Sequence, residues 1–162
     1  MSKARDGIKV HGFYRMQIQE DKDGGKVVVG DSGWCKNQVT DLGFQHYIVE
    51  SIGAIAGSSQ ASFLALGTGT APAAAGTALP NELTDAAGCR MAVSPSAVSS
   101  KTLRLTGSLN SNIITAARTI QNIGIFAVST TAAGSILAGN TYATSSLATN
   151  QTVNATYELR FS

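Results

Sequence analysis

The stretch TVNATYELRF, residues 152–161, alternates between polar and apolar side chains along its whole length. Its apolar positions are Val153, Ala155, Tyr157, Leu159 and Phe161. Successive side chains of a strand point to opposite faces, so this alternation predicts a strand with one buried and one solvated face. Residues 8–19 alternate in the same way, although Phe13 joins the polar face and Gly12 interrupts the apolar one. Both ends of the chain are therefore predicted to lie in a sheet.

Shorter strands are predicted between these two, separated by turns rich in small polar residues and glycine. They cover residues 26–29, 34–39, 62–66, 90–93, 102–109, 120–128, 135–138 and 141–143. Asp-Gly and Gly-Gly within 20–25 supply the positive-φ positions of a hairpin turn. The stretch 120–128 is apolar on both faces, which predicts a central strand buried on both sides. The sequence therefore predicts a mainly β fold, a single β-sandwich or jelly-roll-like domain.

One segment differs, residues 41–56, because its apolar side chains recur at helical spacing. They are Phe44, Tyr47, Ile48, Ile52 and Ile55. Thr40 or Asp41 is a suitable N-cap, and Gly57 stands where a helix would end. The sequence predicts one short amphipathic helix near 41–56. Its apolar face is expected to be buried rather than membrane-bound, since its polar side is not basic.

A chain of 162 residues is long enough for one domain with its own core and short for two. We predict a single domain over 1–162, in which residues 1–36 form either a projecting arm or the first hairpin. The sequence has no apolar run of about 18 residues, and no apolar segment follows its N-terminus, so neither a membrane span nor a secretory signal is expected. In a reducing cytoplasm Cys35 and Cys89 are expected to stay buried thiols, although the sequence leaves a disulfide open.

Charge is sparse and unevenly distributed. Charged residues make up 14% of the chain, its net charge is +2, and 14 of the 22 charged side chains lie in the first 50 residues. Residues 51–81 carry no charge, and residues 105–157 carry only Arg118. The small net charge argues against nucleic acid as the main partner. The neutral stretches favour a surface that meets other protein, where charge would have to be desolvated, over a hydroxyl-covered sheet that faces water.

The residues that could form a phosphate, metal or catalytic site do not match the motifs that such sites need. The segment GTGT at 67–70 lacks the lysine of a phosphate-binding loop and the third glycine of a dinucleotide fingerprint. His11 and His46 have no neighbouring thiols or nucleophilic serine motif, so ordinary side chains are favoured over a zinc or catalytic site. Lysines interrupt the acidic turn 20–23, which favours a solvated turn over a calcium loop. Trp34 is expected in the core rather than as a ligand platform. The sequence predicts no enzyme, cofactor or metal.

Two segments carry a resemblance to a known group of proteins. The first is FLALGTGTAP at 63–72 with TALPNEL at 77–83, and the second is IQNIGIF at 120–126 with GSILA at 134–138. In their order and spacing they resemble small virion structural proteins of tailed bacteriophages. The similarity covers about 37–161, whereas the first 36 residues match nothing in that group. The chain departs from the group at Asn122, where an acid is common.

This resemblance implies a β-sandwich component of the virion, made in the host cytoplasm. Two roles remain open: a capsid decoration (cement) protein that bridges capsomers, or a tail, neck or fibre module involved in attachment to the host. A single domain without heptads or a stalk favours decoration. The expected partners are further copies of the chain, with a homotrimer favoured, and the major capsid protein or other virion proteins, with no nucleic acid and no membrane. The uncharged loop 71–80 contains the candidate interface residues Ala71, Pro72, Ala73, Ala74 and Ala75.

Overall fold

The computed structural model describes residues 9–53, 59–85 and 89–162. The strands in these ranges are β1 (Val10–Lys22), β2 (Gly25–Asp31), β3 (Cys35–Val39), β4 (Phe63–Gly67), β5 (Met91–Ser99), β6 (Thr102–Leu109), β7 (Arg118–Phe126), β8 (Ala138–Leu147) and β9 (Gln151–Phe161). Strands make up 53% of the described residues, which confirms the mainly β prediction. The two short strands predicted at 135–138 and 141–143 are replaced by the single strand β8.

The antiparallel sheet closes on itself. Eight strands form a ring in the order β1-β3-β8-β7-β4-β5-β6-β9, and β1 then pairs with β9 from Val10 opposite Phe161 to Glu20 opposite Gln151. The sequence predicted a sandwich or jelly roll. The described strands instead form a closed barrel, because the two alternating end segments pair with each other and leave neither as an edge.

Strand β2 lies outside this ring. One edge of β1 pairs with β9, and the other edge is shared by β3, at residues 12–14, and β2, at residues 17–22. The predicted hairpin turn joins β1 to β2, and Gly24 there has a φ of 104°, a conformation that favours glycine. β1 is thus a barrel strand from Val10 onward, while residues 1–8 of the predicted arm or hairpin lie outside the described part of the chain.

The helix begins where the sequence predicts. Helical structure runs over Asp41–Gly43, continues as a π-helical turn over Phe44–Val49, and ends with Glu50–Ile52. The Thr40 hydroxyl accepts a hydrogen bond from the Gly43 amide at 3.0 Å and so caps the first turn.

The prediction that the apolar face of the helix is buried is only partly correct. Tyr47 and Ile48 are half-buried, but Phe44 is 40% exposed and Ile52 is 81% exposed. The helix lies at one end of the barrel, so only one side of it can pack against the strand ends. Ile55 and Gly57 lie outside the described residues.

The core has two parts. The larger fills the barrel and includes Tyr14, Tyr157 and Ile123, each fully buried. A second, smaller cluster lies on the outer face of β4 and β7, where Leu79 and Ile136 from the long loops cover Phe126. This covering explains why residues 122–126 are all buried, which confirms two-sided burial for the middle of the predicted strand 120–128. Gln121 and Ala127 are only half-buried, and Val128 is 38% exposed.

Neither cysteine forms a disulfide in the structure. Cys89 is buried as predicted, whereas Cys35 in β3 is only half-buried and so less enclosed than predicted.

Candidate interaction surface

Two neighbouring amide side chains of β7 hold the ends of the loop that contains the candidate interface residues. Asn122 is fully buried in β7, and its Nδ2 donates to the carbonyl oxygens of Thr70 and Pro80, each at 2.9 Å. The neighbouring Gln121 donates to the Thr68 carbonyl at 2.8 Å. A carboxylate at position 122 could not donate these bonds, so the amide of Asn122 has a structural role here.

Main-chain contacts fix the tip of the loop. The Gly76 amide donates to the Ala73 carbonyl at 2.8 Å, and the Asp41 amide donates to the Ala74 carbonyl at 2.9 Å. Further along, the Ile136 amide donates to Thr77 at 3.0 Å. The tip is therefore anchored to the helix start and to the segment before β8, which limits the entropy that a partner would have to remove.

Four of the five candidate interface residues are exposed. Ala71, Ala73, Ala74 and Ala75 lie on the surface, whereas Pro72 is buried against the barrel beside Gly139. The exposed side chains are methyl groups, so the tip can contribute close packing and main-chain hydrogen bonds but no charge. Whether the tip meets a partner stays a prediction.

A buried ion pair supports the same side of the barrel. The Arg90 guanidinium donates to both oxygens of Glu82, at 2.6 and 2.9 Å, and to the carbonyls of Val128 and Ala133. It also lies 3.6 Å above the centre of the Phe126 ring. Arg90 thereby connects the loop before β5 to the loop after β7, a role that nothing in the sequence pattern reveals.

The opposite wall carries a charged cluster. Glu158 of β9 accepts bonds from Arg104 of the neighbouring strand and from Arg160, with closest contacts of 2.6 Å each. Burial raises the pKa of Glu158, but the two guanidinium groups outweigh burial and the net pKa is lowered from 4.5. Arg160 in turn lies 4.2 Å from the Phe13 ring and 5.7 Å from the Trp34 ring.

Trp34 is 44% exposed, so its predicted place in the core is wrong. It precedes β3 on the outer wall and packs against Arg160 instead of the barrel interior. An indole can bury one face against a guanidinium and still contact solvent. No local pattern indicates this partner, because Arg160 lies 126 positions further along the chain.

The residues that sequence analysis tested for chemistry do not converge in the described part of the chain. His11 is exposed in β1, and His46 lies in the helix with its Nδ1 2.9 Å from Glu50. No group of three or more potential metal ligands occurs among the described residues. Arg15 and Arg118 pair with Asp31 and Asp85, which lowers the pKa of both carboxyls through the guanidinium hydrogen bonds.

Sequence analysis missed an exposed apolar strand. In β2, Val27, Val28 and Val29 are each 44–46% exposed. The signal was present, because three consecutive valines cannot share one face of a strand, so a half-buried strand must leave at least one of them in solvent. The alternation in the sequence predicts residues 26–29 only as the second strand of the first hairpin, with no exposed apolar surface.

An apolar groove of about 520 Å³ opens at the end of the barrel beneath the helix. Tyr47 and Ile48 of the helix form one wall, and Leu103, Leu159 and Phe161 at the strand ends form the other. Among the described residues, no helix combines the length and apolar character needed to cross a membrane.

Comparison with protein-family models, with curated proteins and with solved structures finds no match to this chain.

Proposed function

We propose that the protein is a non-enzymatic structural component of a bacteriophage virion, a capsid decoration protein that stabilises the shell by bridging capsomers. The resemblance of 63–83 and 120–138 to small phage virion proteins motivates the class. The observation that carries the role is the loop tip at 71–75, which is uncharged, presents four exposed alanines and is held in place by main-chain bonds. The partners in this proposal are further copies of the chain and the major capsid protein.

A rigid neutral tip suits attachment to a preformed lattice. Methyl groups and backbone can approach another protein closely without desolvating charge, and an already ordered loop loses little entropy on binding. Each contact of this size is weak. An oligomer that engages several equivalent lattice sites gains avidity from the linkage alone.

The charged side chains support a structural role rather than chemistry. Arg90 binds Glu82, Arg118 binds Asp85, and Glu158 is shared by two arginines. These contacts tie loops and strands to each other, and each carboxylate is occupied by a guanidinium. Groups committed in this way are poor acids or bases for catalysis.

The decisive experiment uses particles from which the protein has been removed. Under the proposal they assemble but release DNA at a lower temperature, and the purified protein restores stability because it binds the assembled shell. Stable shells that fail to adsorb to host cells would instead support the second role, a tail, neck or fibre module, and would refute decoration.

Substitution at the tip tests the contact itself. Ala74→Asp places a carboxylate where the proposal buries the side chain, and should weaken binding to the shell by a few kcal/mol, roughly a hundredfold. The matched control is Ala116→Asp, an exposed alanine in the loop between β6 and β7. Equal binding by the two variants would remove the tip from the interface.

A further inference from the structure

Strand β2 has an unusual combination of features for the edge of a sheet. Within the described part of the chain it pairs with β1 alone, along one edge, and every residue of it except Gly30 is exposed. Its middle consists of three valines that are each more than two-fifths exposed. An unpaired apolar edge of this kind is a template for another strand, and proteins normally shorten, charge or cover it.

The strand is complementary to itself. In an antiparallel pair of two copies, the register that places Val28 opposite Val29 also places Lys26 opposite Asp31 and Val27 opposite Gly30. Each apolar residue then faces an apolar residue or glycine, and each charge faces its opposite. Asp31 already binds Arg15, but 31% of its side-chain surface stays exposed to solvent. Cross-strand pairs of these types stabilise a sheet, whereas like charges in the same positions would destabilise it.

Two features of β2 weaken the edge without closing it. Lys26 is a charge of the kind that discourages pairing, and Val29 is the extra residue of a bulge between the pairs Gln19–Val28 and Ile18–Gly30. In the self-paired register the lysine gains an acidic partner instead of meeting a second lysine. Lys26 therefore disfavours pairing with strands that lack an acidic residue at the opposite position, and it favours pairing with a second copy of β2.

We infer that β2 pairs antiparallel with β2 of a second copy of the chain, joining two barrels about a twofold axis. The inference rests on the self-association contained in the proposed function, and it names the surface. It replaces the trimer expected from sequence with a dimer, because a twofold contact uses the same patch on both copies, whereas a trimer needs two different patches.

The expected contact is small. Six residues on each side give main-chain hydrogen bonds and a few valine contacts, so the dimer should dissociate in roughly the micromolar range. On a capsid lattice, neighbouring copies are held at a much higher effective concentration, which would populate the pair fully.

The test is the mass of the full chain in solution, measured by sedimentation over a concentration series. The native chain should shift from monomer to dimer, and Val28→Lys should stay monomeric over the same range. The control is Val98→Lys, which changes an equally exposed valine on β5 and should dimerise as the native chain does. Circular dichroism of each variant separates loss of pairing from loss of fold.

A second pair of variants tests the register. Lys26→Glu would set a glutamate against Asp31 of the other copy at two equivalent positions and should weaken the dimer about tenfold. Lys101→Glu makes the same charge change at the β5–β6 turn and should have no effect.

A native monomer at high micromolar concentration, a trimer, or a Val28→Lys variant that still dimerises would each overturn the inference. None of these results bears on whether the protein stabilises capsids, because heat stability of depleted particles is measured independently.

Discussion

Replacing Arg90 with methionine is expected to be among the most damaging single changes in the barrel wall. The guanidinium is 1% exposed and its partner Glu82 is 6% exposed, so the pair is buried on both sides. Methionine retains the length and apolar stem of the side chain but removes all of its donors. The change therefore leaves a buried carboxylate without its cation, and the carbonyls of Val128 and Ala133 without this donor.

The magnitude follows from that burial. Breaking a buried ion pair by removing one partner costs about 3–5 kcal/mol, chiefly because the remaining charge stays desolvated. Arg15→Met breaks the exposed pair with Asp31, whose side chains are 40% and 31% exposed, and should leave the free energy of unfolding almost unchanged. The two substitutions are chemically identical, so the difference between them isolates burial.

Urea unfolding of the two variants measures the effect. A third variant, Arg90→Met with Glu82→Gln, neutralises the orphaned carboxylate and should recover part of the lost stability. It also keeps the argument testable if Arg90→Met alone fails to fold. The reasoning is refuted if Arg90→Met is no more destabilising than Arg15→Met. It is also refuted if Glu82→Gln lowers the free energy of unfolding as much in the Arg90→Met background as it does alone in the native chain, because the two effects would then be additive.

Two other predictions concern buried polar groups. Asn122→Asp removes the donors to Thr70 and Pro80 and buries a carboxylate, so it should destabilise the chain by about 3 kcal/mol or more. Thermal unfolding measures this effect, and an unchanged unfolding midpoint would contradict the prediction. Stability should fall on acidification, because the pKa of Glu158 in the folded chain lies below its ordinary value of 4.5. The contribution of ionised Glu158 to the free energy of unfolding is complete above pH 4.5 and is lost as the pH drops through the folded pKa. Glu158→Gln should flatten the acid limb of a stability–pH curve, and an unaltered limb would exclude this carboxylate as its source.

The positions of the strands could be predicted from sequence because the signals are local. Alternation in 152–161 and the glycines near 24 fix a strand and a turn within a few residues of chain. The closure of the sheet could not be predicted, because it depends on β1 pairing with β9 across almost the entire sequence. Nothing in either segment specifies which other strand it will meet.

In the candidate interaction surface, too, some features follow from local sequence and others depend on contacts between distant residues. The exposed alanines at 71–75 follow from composition, since an uncharged loop between strands lies on the surface. The contacts that hold this loop, from Asn122, and the ion pair of Arg90 depend on the packing of distant loops over β7. The place of Trp34 was predicted wrongly for a related reason: its partner Arg160 becomes adjacent only after β1 and β9 pair.

Strand β1 connects the two surfaces on which the proposals depend. One edge of β1 pairs with β9 along eleven positions, and the other edge holds β3 and then β2. A second copy bound at β2 would therefore be joined to the closed ring by continuous main-chain hydrogen bonds. β3 leads in turn to the helix start at Asp41, whose amide binds the Ala74 carbonyl at the loop tip. Tension between a β2 contact and a tip contact would thus act along strands and anchored loops rather than across a flexible linker, which is what the proposed bridging of capsomers would require.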